Sequence, residues 1–388
     1  MAAWVESKLS GIGESIFSTM SRMAHECGAI NLSQGFPEFQ PPQALIEAVH
    51  KALLDGYNQY APMPGLPLLR EAIAGKCAAN LGYILHPETE ITIVPGATAG
   101  IFCAVQALVH AGDEVIIIEP AYDCYAPAIK LAGAVAKSVA LDPRTGEIPW
   151  DQVRKLINIR TRMIMVNTPH NPTGWVLSEA DWAELERIVL ASDLLLLSDE
   201  VYEYMVFDGQ KHRSAASIES LKDRSIRLSS FGKTYHATGW KLGYISAAEP
   251  ITKRIREVYQ FMAFSASTPM QMGLAQFMRA HTDHETSVAA LYQSKRDFLA
   301  QALKASRFQV LPCQGSYFQL VDYGAISQAP DREFAEQLTR EYGIASIPLS
   351  PFFRNDPGHT LLRLCFAKEN QRDAGITFVF VTHDQEEA

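Results

Sequence analysis

Nowhere in these 388 residues does an uninterrupted apolar run reach the roughly 20 residues that a bilayer-spanning helix needs, and residues 1–17 hold no basic segment followed by an apolar one. A membrane span and a secretion signal are therefore not expected, and the cytoplasm is the expected location. Positive charge is also short. With 34 Lys and Arg against 43 Asp and Glu the formal charge is −9, which argues against a general nucleic-acid or acidic-membrane surface but leaves room for a local basic pocket. Cysteine is sparse: Cys27, Cys77, Cys103, Cys124, Cys313 and Cys365 form no C-x-x-C pair and have no histidine nearby at ligand spacing. They read as reduced thiols, and no metal site is expected. Also missing are an internal repeat and a low-complexity tract. The only Gly-Lys-Thr, Gly232-Lys233-Thr234, has Arg227 where a P-loop needs its first glycine, which removes the nucleotide reading.

What is present is an ordinary globular composition, 47% hydrophobic, long enough for about two to three domains' worth of core. Short β-rich runs at 91–94, 115–119, 162–167, 194–198, 225–229 and 242–247 alternate with amphipathic helical stretches such as 101–109. That alternation predicts an α/β fold with a mainly parallel sheet. In such sheets ligands bind beyond the carboxyl ends of the strands. The polar residues that stand out, Gly96-Ala97-Thr98, Tyr122, Asn171, Asp199, Ser230 and Lys233, fall just after those runs. They are expected to share one crevice.

Each has a plain reading beside a chemical one. Lys233 lies in an apolar, glycine-punctuated turn; a solvated lysine there would stay protonated near 10.4, whereas a desolvated one loses its proton and condenses with carbonyls. Asp199 ends the apolar run 194–198 and serves either as a helix N-cap or as a buried carboxylate awaiting a cation. Asn167 and Asn171 flank Thr168-Pro169-His170 in a loop that turn chemistry alone explains. The backbone N–H groups of Gly96-Ala97-Thr98 at a helix start suit a phosphate, with Ser230 and Lys241 able to add a hydroxyl and a cation. Arg363 interrupts an apolar strand-like run, either packed by its stem or clamping a carboxylate.

Taken in order, Ser33-Gln34-Gly35-Phe36-Pro37, Asn58-Gln59-Tyr60, Glu119-Pro120-Ala121-Tyr122-Asp123-Cys124-Tyr125, Asn171-Pro172-Thr173-Gly174, Asp199-Glu200-Val201-Tyr202, the Lys233 turn and Arg363 resemble the class I/II, fold type I, pyridoxal-phosphate aminotransferases over about residues 5–370. The combination is most similar to the methionine and kynurenine aminotransferase branch. The resemblance implies pyridoxal 5′-phosphate, joined to Lys233 as an imine, with Lys233 then moving the substrate proton. Asp199 would keep the ring nitrogen protonated, and Tyr202 and Asn171 would bond the ring oxygen. Tyr122 would stack on the ring, while Gly96, Ala97, Thr98, Ser230 and Lys241 hold the phosphate. Tyr60 would reach that phosphate from the neighbouring subunit of a homodimer. Arg363, Asn171 and Gly35 would bind the substrate α-carboxylate, with Phe36 and the neighbour's Phe264 beside Tyr60 and Tyr122 around its side chain. Small-molecule amino and 2-oxo acids are the implied partners, with methionine, aromatic amino acids or glutamine as donors.

After roughly residue 265 the strand–helix alternation loosens, which assigns 266–370, joined by the N-terminal segment (1–30), to a smaller α+β domain beside a large cofactor domain (31–265). Residues 371–388 depart from the resemblance: where the family has a helix, the β-branched run resembles the switch-histidine segment of transporter ATPases and is read as a rearranged end without function. Two other readings stand beside the aminotransferase one. β-Elimination from cysteine conjugates would use the same lysine, and a non-catalytic ligand-binding protein would not need it.

Overall fold

The computed structural model describes residues 6–369; the atypical segment 371–388 lies outside the described residues. Among the described residues thirteen strands run in chain order as β1 (Ile30–Asn31), β2 (Ile91–Val94), β3 (Glu114–Glu119), β4 (Val135–Ala140), β5 (Thr161–Asn167), β6 (Leu195–Asp199), β7 (Ser225–Ser230), β8 (Gly243–Ala247), β9 (Gln309–Val310), β10 (Phe318–Asp322), β11 (Ile344–Ala345), β12 (Ile347–Pro348) and β13 (Leu361–Cys365).

Seven of them build one sheet in the order β2-β8-β7-β6-β5-β3-β4. Only β8 runs antiparallel to its neighbours; the remaining pairs are parallel. A parallel strand covered by helices on both faces must be apolar throughout, and the side-chain period of two then sends alternate residues to opposite cores. The sequence obeys this closely. Val115 and Ile117 join Met163, Met165, Leu195 and Leu197 on one face, while Ile116 and Ile118 join Ile164, Leu196, Trp182 and Leu185 on the other. Each such buried side chain contributes about 1.5–3 kcal/mol relative to exposure.

A second sheet, β12-β13-β10-β9, is antiparallel and shares its core with the helices Ile16–Cys27 and Asp331–Tyr342. The short parallel pair β1–β11 ties residues 30–31 to 344–345, so the N-terminal helix packs with the last third of the chain. The strands anticipated in the large sheet all form, to within a residue or two at each end. The helix expected over 101–109 instead starts at Ala97, directly after Gly96, whose φ of +87° lets the chain turn off β2. No helix among the described residues is long and apolar enough to cross a membrane.

Candidate active site

The parallel strands and β2 point their carboxyl ends the same way, and a cavity of about 210 Å³ opens there, bounded on the far side by β13. Gly35, Gly96, Ala97, Thr98, Tyr122, Asn171, Asp199, Tyr202, Ser230, Lys233, Lys241 and Arg363 all line it. Phe36, Tyr60 and Phe264 do not. Tyr60 is 84% exposed, and its ring stands edge-on to that of Phe264, itself 46% exposed, at 5.4 Å. Phe36 is likewise exposed, with the Lys368 amine 5.2 Å from its ring.

Lys233 sits on the short helix Phe231–Thr234 that follows β7. The turn requires glycine at 232, because a Cβ there would lie 2.8 Å from the Thr238 Cα. Desolvation by burial lowers the Lys233 amine to about 8. Its Nζ donates to the Tyr317 hydroxyl at 2.7 Å and to the Gly35 carbonyl at 3.3 Å.

Asp199, the last residue of β6, is buried, and that desolvation raises its carboxyl to about 6. Its partners are the Tyr125 hydroxyl at 2.7 Å and the Val201 N–H at 3.4 Å. No ion pair with a described residue satisfies it. A buried carboxylate without a cation is costly, so the site favours a ligand that brings a proton or positive charge to this spot. Asn167 braces the neighbouring loop: its Nδ2 donates to the Asp199 carbonyl at 2.8 Å and its Oδ1 accepts the Asn171 N–H at 2.7 Å.

At the start of the helix Ala97–Leu108 a side chain on Gly96 would come within 3.3 Å of Lys241 Cε and Nζ. Gly96, Ala97, Thr98, Ser230 and Lys241 thus line the same cavity, where the first turn of a helix suits an anion. Arg363 is 1% exposed and held flat, 3.9 Å from the Phe318 ring centroid. Nη1 donates to Asn171 Oδ1 and Nη2 to the Ser33 carbonyl, each at 2.8 Å. Nε is buried without a partner among the described residues. Burial lowers the guanidinium to about 10, still charged near neutrality. An unpaired donor on a buried cation that lines a cavity suits an anionic ligand.

Residues to which the sequence reading gave no role complete the site. Phe17, Phe318, Val201 and Thr238 line the cavity, and Tyr125 and Tyr317 bond its two titrating groups. Phe17 had no local signal. It arrives on the N-terminal helix, whose docking depends on the β1–β11 pairing.

A lysine of lowered pKa, a buried carboxylate and a partly satisfied arginine thus line one cavity at the strand ends. The class I and II aminotransferase family model matches residues 28–376, and the chain belongs to that family, whose members work with pyridoxal phosphate. It is 46% identical over 364 residues to the methionine aminotransferase of Escherichia coli K12, covering 94% of each chain. A crystal structure from Escherichia coli, described as having methionine aminotransferase function, superposes with a TM-score of 0.93 at 46% identity over 95% of this chain and 96% of that one. Kynurenine–oxoglutarate transaminase 1 of Rattus norvegicus is 32% identical over 397 residues, covering 93% of this chain and 94% of the rat enzyme. The chain is an aminotransferase, and the neighbouring folds bear out the fold type I expectation.

Proposed function

We propose that this aminotransferase moves the amino group of methionine, an aromatic amino acid or glutamine to a 2-oxo acid, with pyridoxal phosphate seated in the cavity just described. The observation that carries the reading is that Arg363, a buried cation whose Nε has no partner among the described residues, lines the same cavity as Lys233, because an α-amino acid presents a carboxylate and a reacting Cα together. The cofactor fits the residues present. Asp199 would hold the ring nitrogen proton, the Gly96–Thr98 turn with Ser230 and Lys241 would take the phosphate, and Tyr122 would cover a ring face. Asn171 and Tyr202 would hydrogen-bond the ring oxygen. When bound, the cofactor supplies an electron sink that makes the substrate Cα–H acidic.

The protein's own groups supply the rest. Arg363 fixes the α-carboxylate and so the orientation of Cα, helped by Asn171 and by Gly35. Lys233, with its pKa lowered to about 8, takes and returns the Cα proton. Phe17, Tyr122 and Phe318 give the substrate side chain an apolar wall, and Arg363 is the only arginine among the described lining residues. That favours methionine or an aromatic donor over aspartate. A hydrophobic wall discriminates by only about 1–3 kcal/mol per methylene, so several donors should be accepted.

The exposed Tyr60–Phe264 pair lies outside this chain's own cavity, which supports a homodimer in which each copy completes the other's site. We read the seven-stranded body as a cofactor domain over 31–265. The four-stranded body, 266–370 with the N-terminal segment, is the smaller one. The test is optical: protein loaded with pyridoxal phosphate should lose its visible band on adding methionine and regain it on adding a 2-oxo acid. A band that methionine leaves unchanged would defeat the proposal, and pyruvate released from a cysteine conjugate without an acceptor would favour elimination instead.

A further inference from the structure

Tyr317 bonds the reactive amine and yet does not line the cavity. It is fully buried, in the segment leading into β10, and its ring is fixed edge-on to Tyr202 at 5.1 Å and Phe318 at 4.8 Å, with Tyr292 at 5.7 Å. Its hydroxyl accepts a hydrogen bond from Lys233 Nζ at 2.7 Å and donates its own proton to the Gly35 carbonyl. A side-chain hydrogen bond also links the Tyr202 and Tyr317 hydroxyls. Gly35 O in turn accepts from Nζ at 3.3 Å. A neutral amine has two N–H bonds and one lone pair, and here two acceptors face it.

We propose that Tyr317 is a positioning residue for Lys233: with the Gly35 carbonyl it takes both N–H bonds of the neutral amine and leaves the lone pair to receive the substrate proton. This rests on the aminotransferase reading of the site. The direction of the bonds is what matters. A hydroxyl that donated to Nζ would occupy the lone pair and block it as a base, but the Tyr317 proton is directed at Gly35. Burial drives the phenol's pKa upward, so it remains a neutral acceptor throughout the working range. The other groups facing the amine are Lys241 and Arg363, which push it towards the neutral form, and Asp199 and Cys365, which oppose them. Tyr202 adds a ring whose centre is 5.6 Å from Nζ. The hydroxyl also joins three distant segments, at 35, 233 and 317, so the amine is placed only when all three are docked.

The experiment is Tyr317→Phe, which keeps the ring, with Tyr292→Phe as a control because its hydroxyl bonds His236 and not Lys233. In cofactor-free protein, competitive acylation across a pH series, read by mass spectrometry on the Lys233 peptide, gives the amine's pKa. Loss of an acceptor that favours the ammonium should lower it by about one unit in Y317F and leave it unchanged in Y292F. Incorporating 3-fluorotyrosine at 317, which preserves shape and weakens the acceptor, should shift it the same way by less. In loaded enzyme, Y317F should lower kcat about 10- to 100-fold with a larger Cα-deuterium isotope effect and a KM within about twofold of wild type. An unchanged Lys233 pKa in both Y317F and the fluorotyrosine protein would overturn the contact, and an unchanged isotope effect would overturn its role. A wild-type enzyme that does not transaminate would instead sink the functional reading, while the acylation series would still decide the contact.

Discussion

Replacing Arg363 with lysine keeps the positive charge and most of the packing against Phe318, Phe17 and Phe352, whose ring centres lie 3.9, 5.0 and 5.6 Å from the guanidinium. What changes is the number of donors. Arginine offers five N–H groups and lysine three; the protein uses one for Asn171 Oδ1 and one for the Ser33 carbonyl. Three remain for a substrate carboxylate in the wild type, including the orphaned Nε, but only one in R363K. The variant therefore loses the two-point grip, about one charge-assisted hydrogen bond of 1.5–3 kcal/mol, or roughly 10- to 150-fold in affinity for the carboxylate. Competitive inhibition by 4-(methylthio)butanoate and by the corresponding alcohol isolates that term, since the two share a side chain. Wild type should favour the acid strongly, and R363K should weaken the acid by the stated factor while leaving the alcohol within about twofold. An equal loss for both would show that the substitution disturbs the pocket and that Arg363 is not the carboxylate clamp.

Lys233→Ala should reduce turnover by at least about 100-fold while equilibrium dialysis still detects pyridoxal phosphate bound through the remaining contacts; near-normal turnover would remove Lys233 from the mechanism. Asp199 makes a pH prediction. Its carboxyl is raised to about 6 in the fold against about 3.9 in an unfolded chain, so the stability it contributes is present below about pH 4 and lost as pH rises through 6. Cofactor-free Asp199→Asn should consequently be more stable than wild type at pH 7.5, on the order of 3 kcal/mol, and lose most of that advantage at pH 4.5. Parallel melting curves at the two pH values would contradict this. Arg227 is fully buried, with Nε 2.8 Å from Glu200, Nη2 against Glu203, and the Tyr244 hydroxyl 3.0 Å from Nη1. Arg227→Met strands two buried carboxylates and should cost about 3–5 kcal/mol by urea denaturation; a change below about 1 kcal/mol would mean the network is not a stabilising one.

Much of this was legible in the chain because it is local chemistry. Strands buried on both faces must be continuously apolar, so β2, β3, β5, β6, β7 and β8 could be read to within a residue or two, and the polar residues at their ends marked the crevice. β4 was not legible: Val-Ala-Lys-Ser-Val-Ala is a half-exposed edge strand whose pattern resembles that of a surface helix or loop, and only its pairing with β3 makes it a strand. Arg227 occupied a position that excluded a P-loop, but its neighbours in the fold gave it a different meaning, a cation held between two glutamates.

The chain's own chemistry marked residues that come to line the cavity, since a lysine turn, an acidic strand end and an arginine in an apolar run are local patterns. Their distances, their pKa values and the company of Phe17, Tyr125 and Tyr317 came from elsewhere. Desolvation is a property of the folded neighbourhood: Lys233 falls to about 8 and Asp199 rises to about 6 only because segments nearly 200 residues apart close over them. Periodicity along a strand records which side chains face a core, but it cannot record which hydroxyl from a distant segment will meet a given amine, because that pairing is created when the segment before β10 docks on the turn after β7.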